Sequence, residues 1–179
     1  MPVNEELLNQ QLLDPSTRRE AFSQMVRVYS EPLYWKIRQI VLVHDDANDV
    51  LQNVFLKAWR SLEDFQGKSK ASTWLYRIAI NESLDFVRRQ SATISTEADM
   101  SVASHLRADE YFDGDEAQAL LQEAIASLPE VQRAVFTLRY YDEMKYSDMS
   151  QLLGTSEGAL KASYHIAVKK ISAYVKAHE

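Results

Sequence analysis

Residues 44–90 read HDDANDVLQNVFLKAWRSLEDFQGKSKASTWLYRIAINESLDFVRRQ, and the spacing of apolar side chains in this stretch decides the fold. On a 3.6-residue wheel Ala47, Leu51, Val54, Phe55, Ala58 and Leu62 share one stripe, the core face of an amphipathic helix. The opposite side carries Asp46, Asp49, Asn53, Lys57 and Arg60, with acids toward the N-terminus and bases toward the C-terminus, as the helix macrodipole favours. A charge run of this kind is ordinarily a solvated face. Leu56 sits among those charges, however, and a large apolar side chain inside a polar rim is also the composition of a protein-binding patch. Isolated exposed leucines are common, so both readings stand.

A second helix is expected over residues 73–89, with Ser72 as its N-cap. Leu75, Ile78, Ala79 and Glu82 lie toward one mostly apolar side. Trp74, Arg77, Asn81, Asp85 and Arg88 recur every three or four residues and form a neighbouring stripe. An aromatic ring beside a guanidinium and an amide suits single-stranded nucleic acid: the ring stacks on a base, the amide reads a base edge and the cation holds phosphate. The same residues also fit a buried tryptophan beside an ion pair of Asp85 with Arg88 or Arg89, at helical spacings of three and four. The loop between the helices, DFQGKSKA at 64–71, sets Lys68 and Lys70 close to Gly67. Such a loop either approaches a phosphate backbone or is simply solvated.

Composition bounds the rest. The chain has 179 residues, 46% hydrophobic, with only four Gly and four Pro. Long periodic segments with so few breakers point to an all-α fold. No apolar run of about 18 residues occurs, so neither a conventional spanning helix nor membrane insertion is expected. The N-terminal stretch MPVNEELLNQQLLDPS is acidic and lacks the apolar core of a signal peptide, which makes a cytoplasmic protein the expectation. Without cysteine there is no disulfide framework and no thiolate site. His44, His105, His165 and His178 are scattered without metal-ligand spacing, and the glycines are isolated rather than grouped in a phosphate-cradling loop. Neither a metal nor a cofactor is expected, and an enzyme is disfavoured.

Charge is unevenly distributed. Residues 1–92 carry 12 basic and 12 acidic side chains, and residues 119–179 carry 7 of each. The net charge of −6 therefore lies in residues 93–118, TISTEADMSVASHLRADEYFDGDEAQ. Their weak periodicity reads as an acidic linker between an N-terminal helical domain at 1–92 and a C-terminal domain at 119–179. A surface loop with a short helix is the alternative. With no large positive field available to neutralise phosphates, weak DNA binding by the free chain is expected, and a partner must supply the missing contacts.

The C-terminal segment reads as four helices, over 118–127, 129–141, 146–153 and 156–176. Pro129 opens the second, where its missing N–H costs nothing. Met149, Leu152 and Leu153 face inward from the third, Gly154 ends it, and Thr155 can cap the fourth. Leu160, Tyr164, Ala167, Val168, Ile171, Tyr174 and Val175 make the last helix's apolar stripe. Glu157, Lys161, His165 and Lys169 step by four along another face. A short helix, a tight turn starting at glycine and a longer helix with a polar N-terminal end form the helix-turn-helix layout. In that layout Ser156, Glu157, Ala159, Lys161 and Ala162 touch base edges in the major groove, while His165 and Lys169 reach phosphate. An ordinary helical hairpin has the same apolar spacing.

Together the pieces resemble an RNA polymerase sigma factor of the extracytoplasmic-function type, within the sigma-70 family. DANDVLQNVFLKAW resembles that family's clamp-binding helix. FQGKSKASTWLYRIAINESLDFVRR is similar to its promoter-melting segment, and LPEVQRAVFTLRYYDEMKYSDMSQLLGTSEGALKASYHIAVKKI to its C-terminal helix-turn-helix domain. The resemblance implies two small helical domains joined by a linker, with core RNA polymerase and promoter DNA as partners and an anti-sigma factor as a candidate partner. It implies that Asp46, Asp49, Gln52, Asn53, Leu56 and Lys57 dock on the polymerase clamp. It further implies that Lys68, Lys70, Trp74, Arg77 and Asn81 recognise and open the downstream promoter element, while the last helix reads the upstream element as duplex. The chain departs from the family at Ser163 and Ile166, where arginine is frequent, and at Asn53, where an acid is frequent. The rival reading is a helix-turn-helix regulator whose helical N-terminal domain senses a ligand or dimerises. That reading leaves the Trp74, Arg77 and Asn81 stripe without a task.

Overall fold

The structure, a computed structural model, describes residues 3–93 and 116–178. Among them every long element is an α-helix and no strand occurs. In chain order these are α1 (Glu5–Leu13), α2 (Arg18–Arg38), α3 (His44–Arg60), α4 (Ala71–Thr93), α5 (Glu116–Ala126), α6 (Glu130–Tyr140), α7 (Tyr146–Leu153) and α8 (Glu157–His178), with a single 3-10 turn at Leu62–Asp64. The expected all-α class holds. The acidic segment assigned to 93–118 lies, over 94–115, outside the described residues.

The described residues form two compact units. One comprises 3–38 with 45–83, the other 39–44 with 84–93 and 116–178, so the division falls within α4. In the first unit α1 packs on α2. Leu8 and Leu12 of α1, Met25, Leu33 and Ile37 of α2, Val50 and Val54 of α3, and Leu75 and Ile80 of α4 are all buried. Each such burial stabilises by about 1.5–3 kcal/mol relative to exposure. Phe22 of α2 sets its ring edgewise against Phe55 and Trp59 of α3, with centroids 6.4 and 5.0 Å apart. Leu51 and Phe55, expected on the core stripe of α3, are only half-buried, and Val50 takes a core place instead.

In the second unit α5, α6 and α7 all pack on α8. Ala124, Ile125, Leu128, Phe136, Ala167 and Ile171 make its core, with Leu121, Tyr164, Tyr174 and Val175 around them. Phe136 stacks on Tyr164, their rings 14° from parallel. Val168, expected on the apolar stripe, is exposed, and so is Val131 of α6. Pro129 stands one place before α6, at its N-cap, and the Pro129 carbonyl accepts from the Arg133 N–H. The side chain of Arg133 in turn donates to the Ala126 carbonyl at the end of α5, a usual way to satisfy a helix C-terminus.

Candidate protein-binding and nucleic-acid faces

On α3 the macrodipole pattern is intact, with Asp45 and Asp46 in the first turn and Lys57 and Arg60 in the last. Asp49, Gln52, Asn53, Leu56 and Lys57 are all exposed, and Asp46 is half-buried. Positions 49, 52, 53 and 56 follow the helical repeat, so they lie on one face. Leu56 is 54% exposed. The neighbouring Trp59, three residues on, is 45% exposed although Phe22 holds one side of its ring. The exposed apolar feature is thus a Leu56 and Trp59 pair. Trp59 was not among the expected contact residues, though its spacing from Leu56 signals it. Lys57 is committed inside the unit: its ammonium lies 2.5 Å from Glu82 on α4.

The stripe on α4 resolves into a packed part and an open part. Trp74 is half-buried, its ring centroid 4.9 Å from that of buried Phe65. Arg77 and Asn81 are exposed one and two turns further on, as are Lys68 and Lys70 in the loop. Asp85 and Arg88 form an exposed ion pair at 3.6 Å, and Arg89 donates to the Asp85 carbonyl. The packing reading holds in part, since the tryptophan is half-buried and Asp85 pairs with Arg88, while Arg77 and Asn81 are exposed.

The start of α4 differs from expectation. The helix begins at Ala71, so Ser72 lies inside its first turn and does not cap it. The first amide groups are satisfied from α1. The Asn9 Oδ1 accepts from the Ala71 N–H at 2.9 Å, and a Glu5 carboxylate oxygen accepts from the Ser72 N–H at 3.4 Å. Asn9 also donates from Nδ2 to the Ser69 carbonyl at 2.8 Å. Burial acts to raise the Glu5 pKa. Hydrogen bonds from Ser72 and Tyr29, with the charge of Lys70, outweigh it and hold the carboxyl below its ordinary value. Tyr29 is pushed up to about 12 by burial and by its hydrogen bond to Glu5. The loop itself turns through Gly67 at φ +66°, a left-handed conformation that glycine adopts without strain. None of these α1 contacts has a local signature, because they span some sixty residues of sequence.

In the second unit α7, its turn and α8 form the expected helix-turn-helix. Gly154 closes α7 in the left-handed conformation, its N–H donating to the Ser150 carbonyl at 3.0 Å. Ser156 rather than Thr155 caps α8: the Ser156 Oγ accepts from the Ala159 N–H, while the Thr155 hydroxyl donates back to the Leu153 carbonyl. Ser156, Glu157, Ala159, Lys161, Ala162, His165 and Lys169 are all exposed. Leu160 and Ala167 anchor the opposite side of the helix. The Lys161 ammonium lies over the ring of Tyr146, which opens α7, and the Arg139 guanidinium lies over the same ring, at 5.6 and 5.1 Å from its centroid. Lys161 is thus held by a cation–π contact to the first residue of α7. Among the described residues no cluster of His, Cys, Asp and Glu suits a metal, and no helix is long and apolar enough to cross a membrane.

Comparison with known proteins agrees with this arrangement. Residues 25–93 match the family Sigma-70 region 2, and residues 118–171 match Sigma-70, region 4. The chain is 30% identical over 167 residues to the RNA polymerase sigma-H factor of Pseudomonas aeruginosa, covering 86% of each chain. It is 27% identical over 158 residues to the ECF RNA polymerase sigma factor SigW of Bacillus subtilis, covering 82% of this chain and 84% of that one. Among solved structures, CnrH in complex with the cytosolic domain of CnrY superposes with a TM-score of 0.66 at 24% identity, covering 98% of this chain and 99% of that chain. The sigma factor RpoE of Bartonella quintana, solved with the anti-sigma factor NepR, gives 0.63 at 20% identity over 88% of this chain and 98% of that one, and both likenesses concern the fold. With both sigma-70 regions matched in order and curated relatives aligned along most of its length, the chain belongs to the extracytoplasmic-function group of the sigma-70 family of RNA polymerase sigma factors.

Proposed function

We propose that this chain acts, without enzymatic activity, as an initiation factor that docks core RNA polymerase through α3 and reads promoter DNA at two places. The observation that carries this reading is the split presentation on the first unit. An apolar pair, Leu56 and Trp59, stands exposed on α3 among Asp49, Gln52 and Asn53, while α4 presents Arg77 and Asn81 with the Lys68 and Lys70 loop at its start. An apolar centre in a polar rim suits a protein partner. Exposed cations, an amide and a loop suit phosphate and an unstacked base.

On this reading a base of the displaced strand is captured beside the loop, and the unstacking cost of a few kcal/mol is offset by the contacts made. The exposed N-terminal end of α8 enters the major groove of the upstream element, with Glu157 able to accept from a cytosine amine and Lys161 able to donate to guanine. The two domains, residues 1–92 and 119–179, are then spaced by the acidic linker at 93–118, and polymerase holds them at the separation that the promoter requires. The near-neutral charge of each domain supports dependence on polymerase, because phosphate neutralisation dominates DNA affinity. Action beside polymerase assigns the protein to the cytoplasm. An anti-sigma factor that covers the α3 face or the DNA faces is a natural regulator.

Co-elution with purified core polymerase tests the docking half. The wild-type chain is expected to elute with core, and Leu56→Asp to elute alone while keeping its helical content. Equal co-elution of the two would overturn the assignment of α3.

A further inference from the structure

The contacts that shape the promoter-facing loop come from a part of the chain with no assigned role. Asn9 on α1 makes a two-point grip on the loop's end, donating to the Ser69 carbonyl at 2.8 Å and accepting from the Ala71 N–H at 2.9 Å. One turn earlier on α1, Glu5 accepts from the Ser72 N–H and from the Tyr29 hydroxyl. One turn later, Leu13 lies against Gly67: a Cβ built there would meet the Leu13 Cδ1 at 3.0 Å. Residues 5, 9 and 13 recur at intervals of four, so one stripe of a nine-residue helix touches the loop at its turn, at its end and at the helix start beyond. The helix is itself fixed from beneath, since Leu8 and Leu12 are buried and Asn4 caps its first turn through the Leu7 N–H.

A helix this short is marginal on its own, and its order comes from tertiary packing. A basic loop carrying Lys68 and Lys70 has every reason to be mobile, yet its turn and its C-terminal end are held to that packed helix. Both bonds made by Asn9 are to backbone. Asn9 fixes the path of the chain between Ser69 and Ala71 rather than the position of any one side chain. A side-chain amide is suited to this task because it offers a donor and an acceptor at once.

We propose that α1 is a clasp that sets the shape of the promoter-facing loop, with Asn9 as a positioning residue for promoter opening that acts through Ser69 and Ala71 and touches neither DNA nor polymerase. The proposal rests on the reading of residues 65–71 as part of the downstream DNA site. A preset loop meets an unstacked base without first being ordered, so the clasp lowers the cost of capture. Loss of the grip therefore slows opening and weakens discrimination at the downstream element, and leaves docking on α3 intact.

The test uses the full chain assembled with core polymerase. Asn9→Ala, Asn9→Asp and the loop variant Lys68→Ala/Lys70→Ala are compared for core affinity, for the rate of open-complex formation on a duplex promoter and for amide hydrogen exchange at Ala71 and Ser72. Asn9→Ala is expected to keep its core affinity, to lose protection at Ala71 and to open promoters about tenfold more slowly, the scale of two lost hydrogen bonds. Asn9→Asp retains the acceptor for the Ala71 N–H and is expected to recover most of that protection and part of the rate. Unchanged opening by Asn9→Ala, with the double lysine variant impaired, would overturn the clasp alone. Unchanged opening by both would remove the loop from the DNA site and the clasp with it. A parallel fall in core affinity and opening would show a purely structural role for α1 and would overturn the proposal equally.

Discussion

The Lys57 ammonium on α3 lies 2.5 Å from a carboxylate oxygen of Glu82 on α4, so the helix assigned to polymerase and the helix assigned to DNA are joined by an ion pair. The Lys57 side chain is about half exposed and that of Glu82 is nearly covered. An exposed pair of this kind contributes about 0–1 kcal/mol to stability, so its value lies in geometry. A clamp acid that took Lys57 would have to displace Glu82. Lys57→Ala is therefore expected to reduce core affinity less than Leu56→Asp does, and to change thermal stability by less than about 1 kcal/mol. Equilibrium titration of core polymerase with the two variants checks the order. A larger loss for Lys57→Ala would show that the lysine serves the partner first.

Asn81 is exposed on α4, two turns beyond Trp74. Asn81→Ala is expected to leave core binding and thermal stability unchanged within about 0.5 kcal/mol, as befits an exposed site, and to lower open-complex formation on duplex promoters. A premelted promoter should restore most of the loss if the residue serves opening. Permanganate footprinting on the two templates measures the difference, and normal opening of the duplex would remove Asn81 from the site.

Lys161 lies over the Tyr146 ring with Arg139 over the same ring. Lys161→Ala is expected to weaken binding of holoenzyme to the upstream element and to reduce the salt slope of that binding by about 1 if the contact is to phosphate. If the contact is instead to a base, the expected change is about 1–3 kcal/mol of lost discrimination at one position with the slope nearly unchanged. Tyr146→Phe should keep the effect of the ring, and Tyr146→Leu should not. Equal loss on upstream-element and premelted downstream DNA would point to a general defect.

Glu5 gives the fold a pH dependence of known sign. Its carboxyl titrates below the ordinary value of 4.5 because Ser72 and Tyr29 hydrogen-bond the ionised form and Lys70 attracts it, more than burial opposes it. A depressed folded-state pKa contributes stability that is fully present above 4.5 and is lost as the pH falls through the lower folded value. The Ser72 amide resonance should follow that titration, and Glu5→Gln should abolish it. A midpoint at or above 4.5 would contradict the Glu5 and Ser72 contact.

Leu75 is fully buried in the first unit and Leu160 nearly so in the second. Leu75→Ala and Leu160→Ala are each expected to cost about 2–5 kcal/mol by denaturant titration. A cost under about 1 kcal/mol at either position would place that side chain outside the core.

Much of this was legible in the sequence because amphipathic helices print their burial at a fixed period. The Leu75 and Ala79 face of α4, the Leu160, Ala167 and Ile171 face of α8 and the Gly154 stop all follow from local spacing and backbone preference. The failures have tertiary causes. Ser72 is the right residue type for an N-cap, but α1 satisfies the amides at the start of α4 and the helix begins two residues earlier than expected, at Ala71. Val168 lies at a core-like spacing on α8 yet is exposed, because α5, α6 and α7 cover only one side of that helix. Trp59 was legible as three residues from Leu56, but aromatic residues usually signal core, and the half-covered state depends on Phe22 of another helix. The grip of Asn9 had no sequence signal at all.

The measurement that bears most directly on the whole account is transcription from a randomised promoter library by purified core polymerase, with and without this chain, alongside binding of the chain alone to the same DNA. Start sites are expected only when chain and core are both present, sharing an upstream and a downstream element at fixed spacing, with weak unselective binding by the chain alone. Tight, sequence-selective binding by the free chain, or no initiation when core is supplied, would contradict it.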